Sequence, residues 1–240
     1  MSSADPEHFR GYPVTRRRVD VAGCTYELLG PANFDALVDD PRTARRFAAD
    51  EYLPYWAEFW PACVLLAERV AAWGPAPAVA PPNVLELGAG LGLVGLVATG
   101  LGYPTVISDY DEDSLAFVLE SARVSGLAPA TVRAVDWRET YPDLVADRIV
   151  AAEVLYERRS LAPIAAFLRR HLKPGGAALL CDAWRSTADG FADAARQESL
   201  AVEIEPVERA RPDADKPLAA RFFHVRHVED LARGSRAPRG

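Results

Sequence analysis

Four glycines fall within eight residues of the stretch VLELGAGLGLVG, residues 84–95, directly after a short apolar run. In α/β folds the turn after the first strand approaches the ligand most closely, and a side chain there would hold the ligand away. Gly88, Gly90 and Gly92 therefore predict a loop that lies against a nucleotide-like cofactor. Gly95 predicts a helix that packs close to the sheet.

The glycine spacing alone leaves two cofactors open. Because Asp109 follows the second glycine by nineteen residues, the pattern also satisfies the dinucleotide fingerprint. Three features favour S-adenosylmethionine over a nicotinamide dinucleotide. Glu86 would oppose a pyrophosphate but suits the ammonium of a methionine moiety. Only about 55 residues follow the fifth predicted strand, too few for the substrate domain of many dehydrogenases. Asp136, Trp137 and the segment LKPGG fall where adenosylmethionine-dependent methyltransferases carry such residues.

An alternation of strand and helix patterns must position these residues. The apolar runs VLEL, TVISD, TVRAVD, RIVAAE and AALLCDA are separated by helical patterns. In one of these helices Leu115, Val118, Leu119 and Ala122 share a face, and in another Ser160 is a candidate N-cap. The alternation predicts βαβ units, and hence a parallel sheet with helices on both faces. The last two runs, AVEIEPV and RFFHVRHV, predict an antiparallel pair at one edge.

Composition excludes several classes of protein. The chain has 240 residues, 50% of them hydrophobic, and a formal charge of −7, which disfavours nucleic acid and anionic membranes as partners. The three cysteines, Cys24, Cys63 and Cys181, form no ligand cluster, so we expect buried, reduced thiols and no metal site. With no signal-like h-region and no apolar run of about 18 residues, a cytoplasmic protein without membrane spans is expected.

The sequence predicts one domain over residues 1–240 with three parts. Residues 1–75 form an N-terminal cap segment: the stretch VDVAGCTYELLG predicts a strand or a hairpin, and EYLPYWAEFWPACVLLAERVAAW predicts a loop that becomes a helix. Residues 76–230 form the α/β core. Residues 231–240, ending ARGSRAPRG, have a composition typical of a disordered tail.

The sequence resembles the class I seven-β-strand methyltransferases. Within them it is most similar to the protein-lysine methyltransferases that include the enzyme acting on the β subunit of electron transfer flavoprotein, and to their bacterial relatives. The resemblance covers residues 52–185 and is carried by LPYWAEFWP, the glycine stretch, ISDYD, VDW, AAEVLYERRSL and LKPGG. It implies a Rossmann-like, doubly wound seven-stranded sheet of order 3-2-1-4-5-7-6 with the last strand antiparallel. Ser121 and Ser125 depart from it, since asparagines are expected there, and so does CDAWR, which replaces an Asp-Pro-x-Arg sequence.

The resemblance and the chemistry together assign the cofactor side. Asp109 can accept hydrogen bonds from both ribose hydroxyls, although it could instead cap a helix. Tyr110 would lie against the adenine, and Asp136 can accept from the adenine amino group while the Trp137 backbone meets the ring edge. Ordinary packing is the alternative for both aromatic residues. The resemblance places Trp60 over the cofactor, and capping of an apolar surface is its alternative role.

On the acceptor side, Glu153 and Tyr156 stand where the resembled family has Asp/Glu-x-x-Phe/Tyr. An amine acceptor must be neutral when it attacks, whereas lysine is normally charged. Glu153 could draw in and orient the lysine, and Tyr156 could line the channel. The alternative for Glu153 is a salt bridge to Arg158 or Arg159.

The predicted function is therefore an S-adenosylmethionine-dependent N-methyltransferase, a monomer that methylates a protein lysine and releases S-adenosylhomocysteine. A small-molecule methyltransferase of bacterial metabolism shares every cofactor residue and remains an alternative. A cofactor-binding module without catalysis is a third.

Overall fold

The computed structural model describes residues 8–210 and 217–234. Its N-terminal part forms a small antiparallel sheet followed by helices. The sheet comprises β1 (His8–Phe9), β2 (Tyr12–Val21) and β3 (Cys24–Pro31). The helices that follow are α1 (Phe34–Val38), α2 (Pro41–Asp50), a 3-10 turn (Tyr55–Ala57) and α3 (Ala62–Ala71). The predicted hairpin and the predicted change from loop to helix are both confirmed.

The second sheet has seven strands and begins at the glycine stretch. Its elements are β4 (Val84–Leu87), α4 (Leu93–Gly100), β5 (Thr105–Asp109), α5 (Glu112–Val124), β6 (Thr131–Ala134), β7 (Ala146–Ala152), α6 (Leu161–His171), β8 (Leu172–Asp182), α7 (Phe191–Gln197), β9 (Leu200–Arg209), β10 (Leu218–His227) and α8 (Val228–Gly234). The strand order is β6-β5-β4-β7-β8-β10-β9. Numbered from β4, this is 3-2-1-4-5-7-6, and the seventh strand, β10, runs antiparallel to both neighbours. The predicted fold class is confirmed.

Hydrophobic layers cover both faces of the sheet. All four residues of β4 are buried, as expected for a central parallel strand. Val84 packs in a cluster with α3, α4, α5 and the N-terminal hairpin, whereas Leu85 packs in a second cluster with α6 and α7. None of the helices in the described ranges is long and apolar enough to cross a bilayer.

The N-terminal hairpin is fixed to α5 by two serine hydroxyls. The backbone N–H of Leu29 donates to Ser121 Oγ, and that of Glu27 donates to Ser125 Oγ, both at 2.9 Å. Leu28 and Leu29 also belong to the cluster that contains α4 and α5. The two serines that depart from the resembled family thus satisfy backbone donors on β3, and the cap segment shares the core. The single-domain organisation stays a prediction.

Three local predictions are wrong. Leu119 is 43% exposed, while Phe117 is buried in its place, because α5 turns a different arc toward the sheet. Ser160 makes no capping hydrogen bond, since a 3-10 turn (Arg158–Ser160) precedes α6. Cys24 is exposed at the hairpin turn, whereas Cys181 is buried and Cys63 is partly buried.

The C-terminal boundary also differs from the prediction. Residues 231–234 of the predicted tail belong to α8, and residues 235–240 lie outside the described ranges. The segment LKPGG is the first part of β8 and pairs with the start of β7, with an irregular register between them.

The Ser121 hydroxyl sets up the first prediction. Ser121→Ala leaves the buried Leu29 N–H without its acceptor, and an unsatisfied buried donor costs about 1–3 kcal/mol. We expect the free energy of unfolding to fall by that amount in urea titrations. Ser125→Ala, at a partly exposed site where water can replace the hydroxyl, should cost less. Equal losses, or none for Ser121→Ala, would contradict this role.

Candidate active site

A cavity of about 700 Å³ lies at the carboxyl edge of the central strands. In doubly wound folds this edge is where ligands bind, because several strand-to-helix loops meet there. The cavity is lined by every residue that the sequence predicted for the site: Trp60, Glu86, Gly88, Gly90, Gly92, Asp109, Tyr110, Asp136, Trp137, Glu153 and Tyr156. The structure brings these side chains together, while their individual roles stay predictions.

The glycine loop between β4 and α4 forms one wall of the cavity. Gly88, Gly90 and Gly92 all have positive φ, and a Cβ on Gly92 would lie 2.6 Å from a methyl group of Val118. Gly95 sits on the sheet so closely that a Cβ there would be 2.5 Å from Ile107. The loop therefore presents bare backbone to the cavity and draws α4 onto the sheet, as the sequence predicted.

Glu86 is buried at the end of β4 beneath this loop. Its Oε2 accepts a hydrogen bond from the Gly95 N–H in the first turn of α4 at 2.9 Å. Burial raises the pKa of Glu86 to about 8, and the nearby Asp109 carboxylate adds to the rise, whereas the Gly95 and Val94 amides oppose it. Glu86 thus supports the loop as well as lining the cavity.

Asp109 ends β5 and holds the same loop from the other side. Its Oδ2 accepts from the Gly90 N–H at 2.8 Å and its Oδ1 from the Asp111 N–H at 2.9 Å. Burial raises the pKa of Asp109 to about 6. The N-cap of α5 is Asp111, whose side chain accepts from Asp113, so capping is not the role of Asp109. Each oxygen of Asp109 retains a lone pair for a further donor.

Tyr110, Asp136 and Trp137 line the cavity beyond Asp109. Tyr110 is 44% exposed, and the Arg138 guanidinium lies 5.6 Å from its ring. Asp136 accepts from Nε and Nη2 of Arg138 at 2.9 and 2.7 Å. An adenine amino group would therefore share the Asp136 carboxylate with Arg138. Trp137 packs next to Gly88.

The N-terminal cap segment closes the cavity with ion pairs that sequence reasoning missed. Arg46 pairs with Asp111 at 2.7 Å, and Tyr52 donates to the same carboxylate. Asp50 pairs with Arg138 at 2.8 Å. These contacts tie the end of α2 to the loops that follow β5 and β6.

Three aromatic residues, Tyr55, Trp60 and Tyr156, form an aromatic wall of the cavity. Trp60 donates from its indole N–H to the Tyr55 carbonyl at 3.0 Å, and the Tyr55 and Tyr156 rings meet edge to face at 5.2 Å. Burial raises the pKa of Tyr156, so its hydroxyl stays protonated at neutral pH. Tyr55, from the same PYWAEFWP stretch as Trp60, thus lies in contact with both Trp60 and Tyr156.

Glu153 follows β7 in a left-handed conformation with φ of 58° and is only 6% exposed. Its Oε2 accepts from Arg185 Nε at 3.0 Å, and its Oε1 is buried and makes no hydrogen bond within the described part of the chain. Burial raises the pKa of Glu153, and the ion pair with Arg185 partly offsets the rise. The alternative ion pair with Arg158 or Arg159 is wrong, because Arg159 pairs with Glu157 and Glu51 instead.

Arg185 is the most informative residue that sequence reasoning missed. It belongs to the segment CDAWR at the end of β8. Because β8 is parallel to β7, a side chain that follows β8 lies at the same edge of the sheet as one that follows β7. That placement was the available signal. Tyr52 and Arg138 carried no local signal, because their partners are distant in sequence.

The donor set of the cavity fits S-adenosylmethionine. Asp109, with a pKa of about 6, is mainly ionised at neutral pH beside the glycine loop and would repel a pyrophosphate, while Glu86 lies beneath the loop. The arginines among the described lining residues, Arg138, Arg159 and Arg185, are each paired with a carboxylate. The site would hold a cationic sulfonium and ammonium more readily than a diphosphate.

Glu86 also gives the structure a pH dependence. A carboxyl whose pKa rises from 4.5 to about 8 on folding binds its proton more tightly in the folded state, so its contribution to stability falls as pH rises through this window. We expect the stability of Glu86→Gln relative to the unsubstituted protein to increase by about 3–4 kcal/mol between pH 5 and 8, measured by urea unfolding, since one pKa unit corresponds to about 1.4 kcal/mol. The control is Glu120→Gln, whose carboxyl has a pKa lowered by Arg123 and should give a constant difference over this range. A pH-independent difference for Glu86→Gln would contradict the prediction.

Curated relatives match part of the chain. The ribosomal protein L11 methyltransferase of Sorangium cellulosum is 36% identical over 142 residues, which cover 56% of this chain and 41% of that protein. The histone-arginine methyltransferase METTL23 of Xenopus laevis is 30% identical over 116 residues, covering 46% of this chain and 49% of that protein. The matched part is thus less than half the length of either relative.

A solved structure and a family profile both match this chain. The glycopeptide N-methyltransferase MtfA, solved with sinefungin, superposes with a TM-score of 0.55 over 70% of this chain and 95% of its own, at 15% identity, which shows the shared fold. The profile of the lysine methyltransferase family matches residues 56–193, more than half of the chain. The match includes Trp60, the glycine loop, Asp109 and Glu153. The chain therefore belongs to the lysine methyltransferase family of S-adenosylmethionine-dependent methyltransferases.

Proposed function

We propose that the protein methylates a lysine side chain of a protein substrate. The observation that carries the proposal is Glu153, a buried carboxylate at the aromatic end of the cavity whose Oε1 makes no hydrogen bond within the described ranges. A buried acceptor without a donor is costly, and an N–H from the substrate would satisfy it. Glu153 lines the cavity, so a substrate amine bound there would lie next to its carboxyl group.

The cofactor half of the site would be held by the glycine loop and the carboxylates around it. Asp109 would accept from the ribose hydroxyls, Glu86 would face the ammonium group, and Tyr110, Asp136 and Trp137 would surround the adenine. S-adenosylmethionine supplies an electrophilic methyl group there. Gly88 and Gly90 line the cavity beside these carboxylates.

The acceptor half must present a neutral amine in line with the methyl group. The amine nitrogen forms a bond to the methyl carbon as the methyl–sulfur bond breaks, and one proton leaves to solvent. Glu153 accepts a hydrogen bond from the amine and orients its lone pair. The rings of Tyr55, Tyr156 and Trp60 favour the positive charge that the methylated amine carries.

The relatives support a protein acceptor. The matching family is described as lysine methyltransferases. The two curated relatives are named as methyltransferases of a ribosomal protein and of histone arginine. A buried carboxylate beside the Tyr55, Tyr156 and Trp60 rings suits a primary amine. We therefore favour lysine over arginine and over a small molecule.

The acceptor is tested with the purified protein, methyl-labelled S-adenosylmethionine and a cell extract. We expect label in a protein band that yields methyllysine on hydrolysis. Methylarginine, or a labelled small product, would overturn the lysine acceptor. An absence of label with cofactor bound would favour a silent cofactor-binding module.

Asp109 gives the test of the cofactor half. Asp109→Ala should weaken the binding of S-adenosylmethionine and S-adenosylhomocysteine by about 1–3 kcal/mol in titration calorimetry, because charge-assisted hydrogen bonds are lost. NAD should not bind. Because Asp109 also holds the Gly90 amide, unfolding is followed in parallel. Unchanged affinity in the folded variant would place the ribose elsewhere.

Glu153 and Tyr156 give the test of the acceptor half. Glu153→Gln and Tyr156→Phe should lower the single-turnover rate about tenfold or more while cofactor affinity stays nearly unchanged, as expected when an orienting contact is removed. Glu120→Gln and Tyr103→Phe, both outside the cavity, are the matched controls and should leave the rate unchanged. A lower melting temperature with an unchanged rate would make Glu153 a structural residue only.

A further inference from the structure

Arg185 and Glu153 form an ion pair that joins two neighbouring strand ends. Arg185 Nε donates to Glu153 Oε2 at 3.0 Å, across a separation of 32 residues. The Arg185 side chain is 34% exposed and lines the cavity, and its guanidinium carbon lies 5.0 Å from the centroid of the Trp60 ring. A fixed positive charge thus sits beside the carboxylate and over an aromatic face, both of which attract cations.

The backbone of Arg185 is held rigidly by the loop after β8. Its N–H donates to Asp182 Oδ1 at 2.8 Å, and its carbonyl accepts from Arg221 Nη2 at 2.6 Å. Arg221 is nearly buried and also pairs with Asp189 at 2.7 Å. Trp184, directly before Arg185, has φ of 58°, a conformation that this loop has to enforce. The position of the guanidinium is therefore built into the fold.

Few other charges face the Glu153 carboxylate. Asp182 is the anionic neighbour that opposes its ionisation, and the Ala183 amide favours it. The thiols of Cys63 and Cys181 lie close by and are themselves kept neutral, because burial and the carboxylates raise their pKa values. Arg185 is thus the cation that balances Glu153.

We infer that Arg185 is a positioning residue that lets the acceptor amine bind as the neutral base. The inference rests on the proposed function, which supplies the amine. An unpaired Glu153 carboxylate would hold a lysine as ammonium, whose nitrogen has no free lone pair. With Arg185 paired to Glu153 the two charges cancel, so the carboxylate accepts an N–H without retaining the extra proton.

The proton balance gives the direction of the effect. When the fixed charge of Arg185 is removed, the site binds one proton in its place, either on Glu153 or on the amine. The reactive state, an ionised Glu153 beside a neutral amine, then requires the loss of that proton. The acid limb of the pH–rate profile must therefore move to higher pH.

The first experiment needs no acceptor. The side-chain carboxyl of Glu153, labelled with ¹³C and assigned by its absence in Glu153→Gln, is titrated by NMR in the full chain. Arg185→Gln should raise the pKa of Glu153 by about one unit or more, since a nearby opposite charge lowers a carboxyl pKa by about 1–3 units. In Arg185→Lys the pKa of Glu153 should remain near its value in the unsubstituted protein. Arg185→Met, which keeps the aliphatic stem over Trp60, is a second neutral variant, so the result does not depend on one replacement folding.

The matched control is Arg169→Gln. Arg169 pairs with Glu229 at 3.0 Å and is 37% exposed, close to the values for Arg185. It lies outside the cavity lining. Its replacement should leave the Glu153 titration where it is. An unchanged Glu153 titration in both neutral Arg185 variants would overturn the inference.

The second experiment uses the methylated protein once the labelling assay has identified it. In Arg185→Gln, kcat/KM at pH 7 should fall about tenfold and recover toward the unsubstituted value as the pH rises, with Arg185→Lys retaining the original profile. A fall without any shift along the pH axis would overturn the inference. If the unsubstituted protein labels no lysine, the proposed function fails, while the NMR titration still decides the pairing role of Arg185.

Discussion

Three carboxylates are buried at one edge of the sheet, and most of the site follows from how each is compensated. Glu86, Asp109 and Glu153 come from β4, β5 and the end of β7, which lie side by side in the sheet. Removing a carboxylate from water is costly unless donors replace the lost hydration. Glu86 and Asp109 accept hydrogen bonds from backbone N–H groups of α4 and the glycine loop. The positive φ values of the loop glycines give the backbone the conformation in which these bonds form. The shape of the loop and the burial of the carboxylates therefore require each other.

The cap segment contributes side chains at the same edge of the sheet. It supplies Trp60 and Tyr55 to the aromatic wall, and Asp50 and Tyr52 to the contacts that close the cavity. The hairpin before them is fixed along α5 through Ser121, and Trp56 packs in the same hydrophobic cluster. Cap segment and core thus build one site, and a change in hairpin packing would be felt in the cavity.

Sequence reasoning succeeded where the signal was local and periodic. The alternation of strands and helices, the glycine loop and the place of Asp109 at the end of β5 all follow from short patterns read in chain order, whereas the strand order followed from the family resemblance. It failed where the deciding contact joined distant segments. The partner of Glu153 is Arg185, not the adjacent Arg158 or Arg159, because the loop after β8 lies beside β7 in the sheet while the start of α6 turns Arg159 toward Glu51. Leu119 was misplaced for a related reason, since helical periodicity does not fix which arc of α5 meets the sheet.

The buried carboxylates of the cavity accept hydrogen bonds from two kinds of donor, backbone amides and a charged side chain. At the cofactor half the donors are backbone N–H groups, which are neutral and fixed by the fold, so the pKa values of Glu86 and Asp109 rise to about 8 and about 6. At the proposed acceptor half the donor is a charged side chain, Arg185, which balances the charge of Glu153 and leaves Oε1 without a donor among the described residues. Backbone donors cannot be exchanged by substitution, whereas a side-chain donor can be replaced without rebuilding the loop. In the proposed assignment, the cofactor half is therefore set by the fold itself, and the chemistry of the acceptor is set by a few side chains around Glu153.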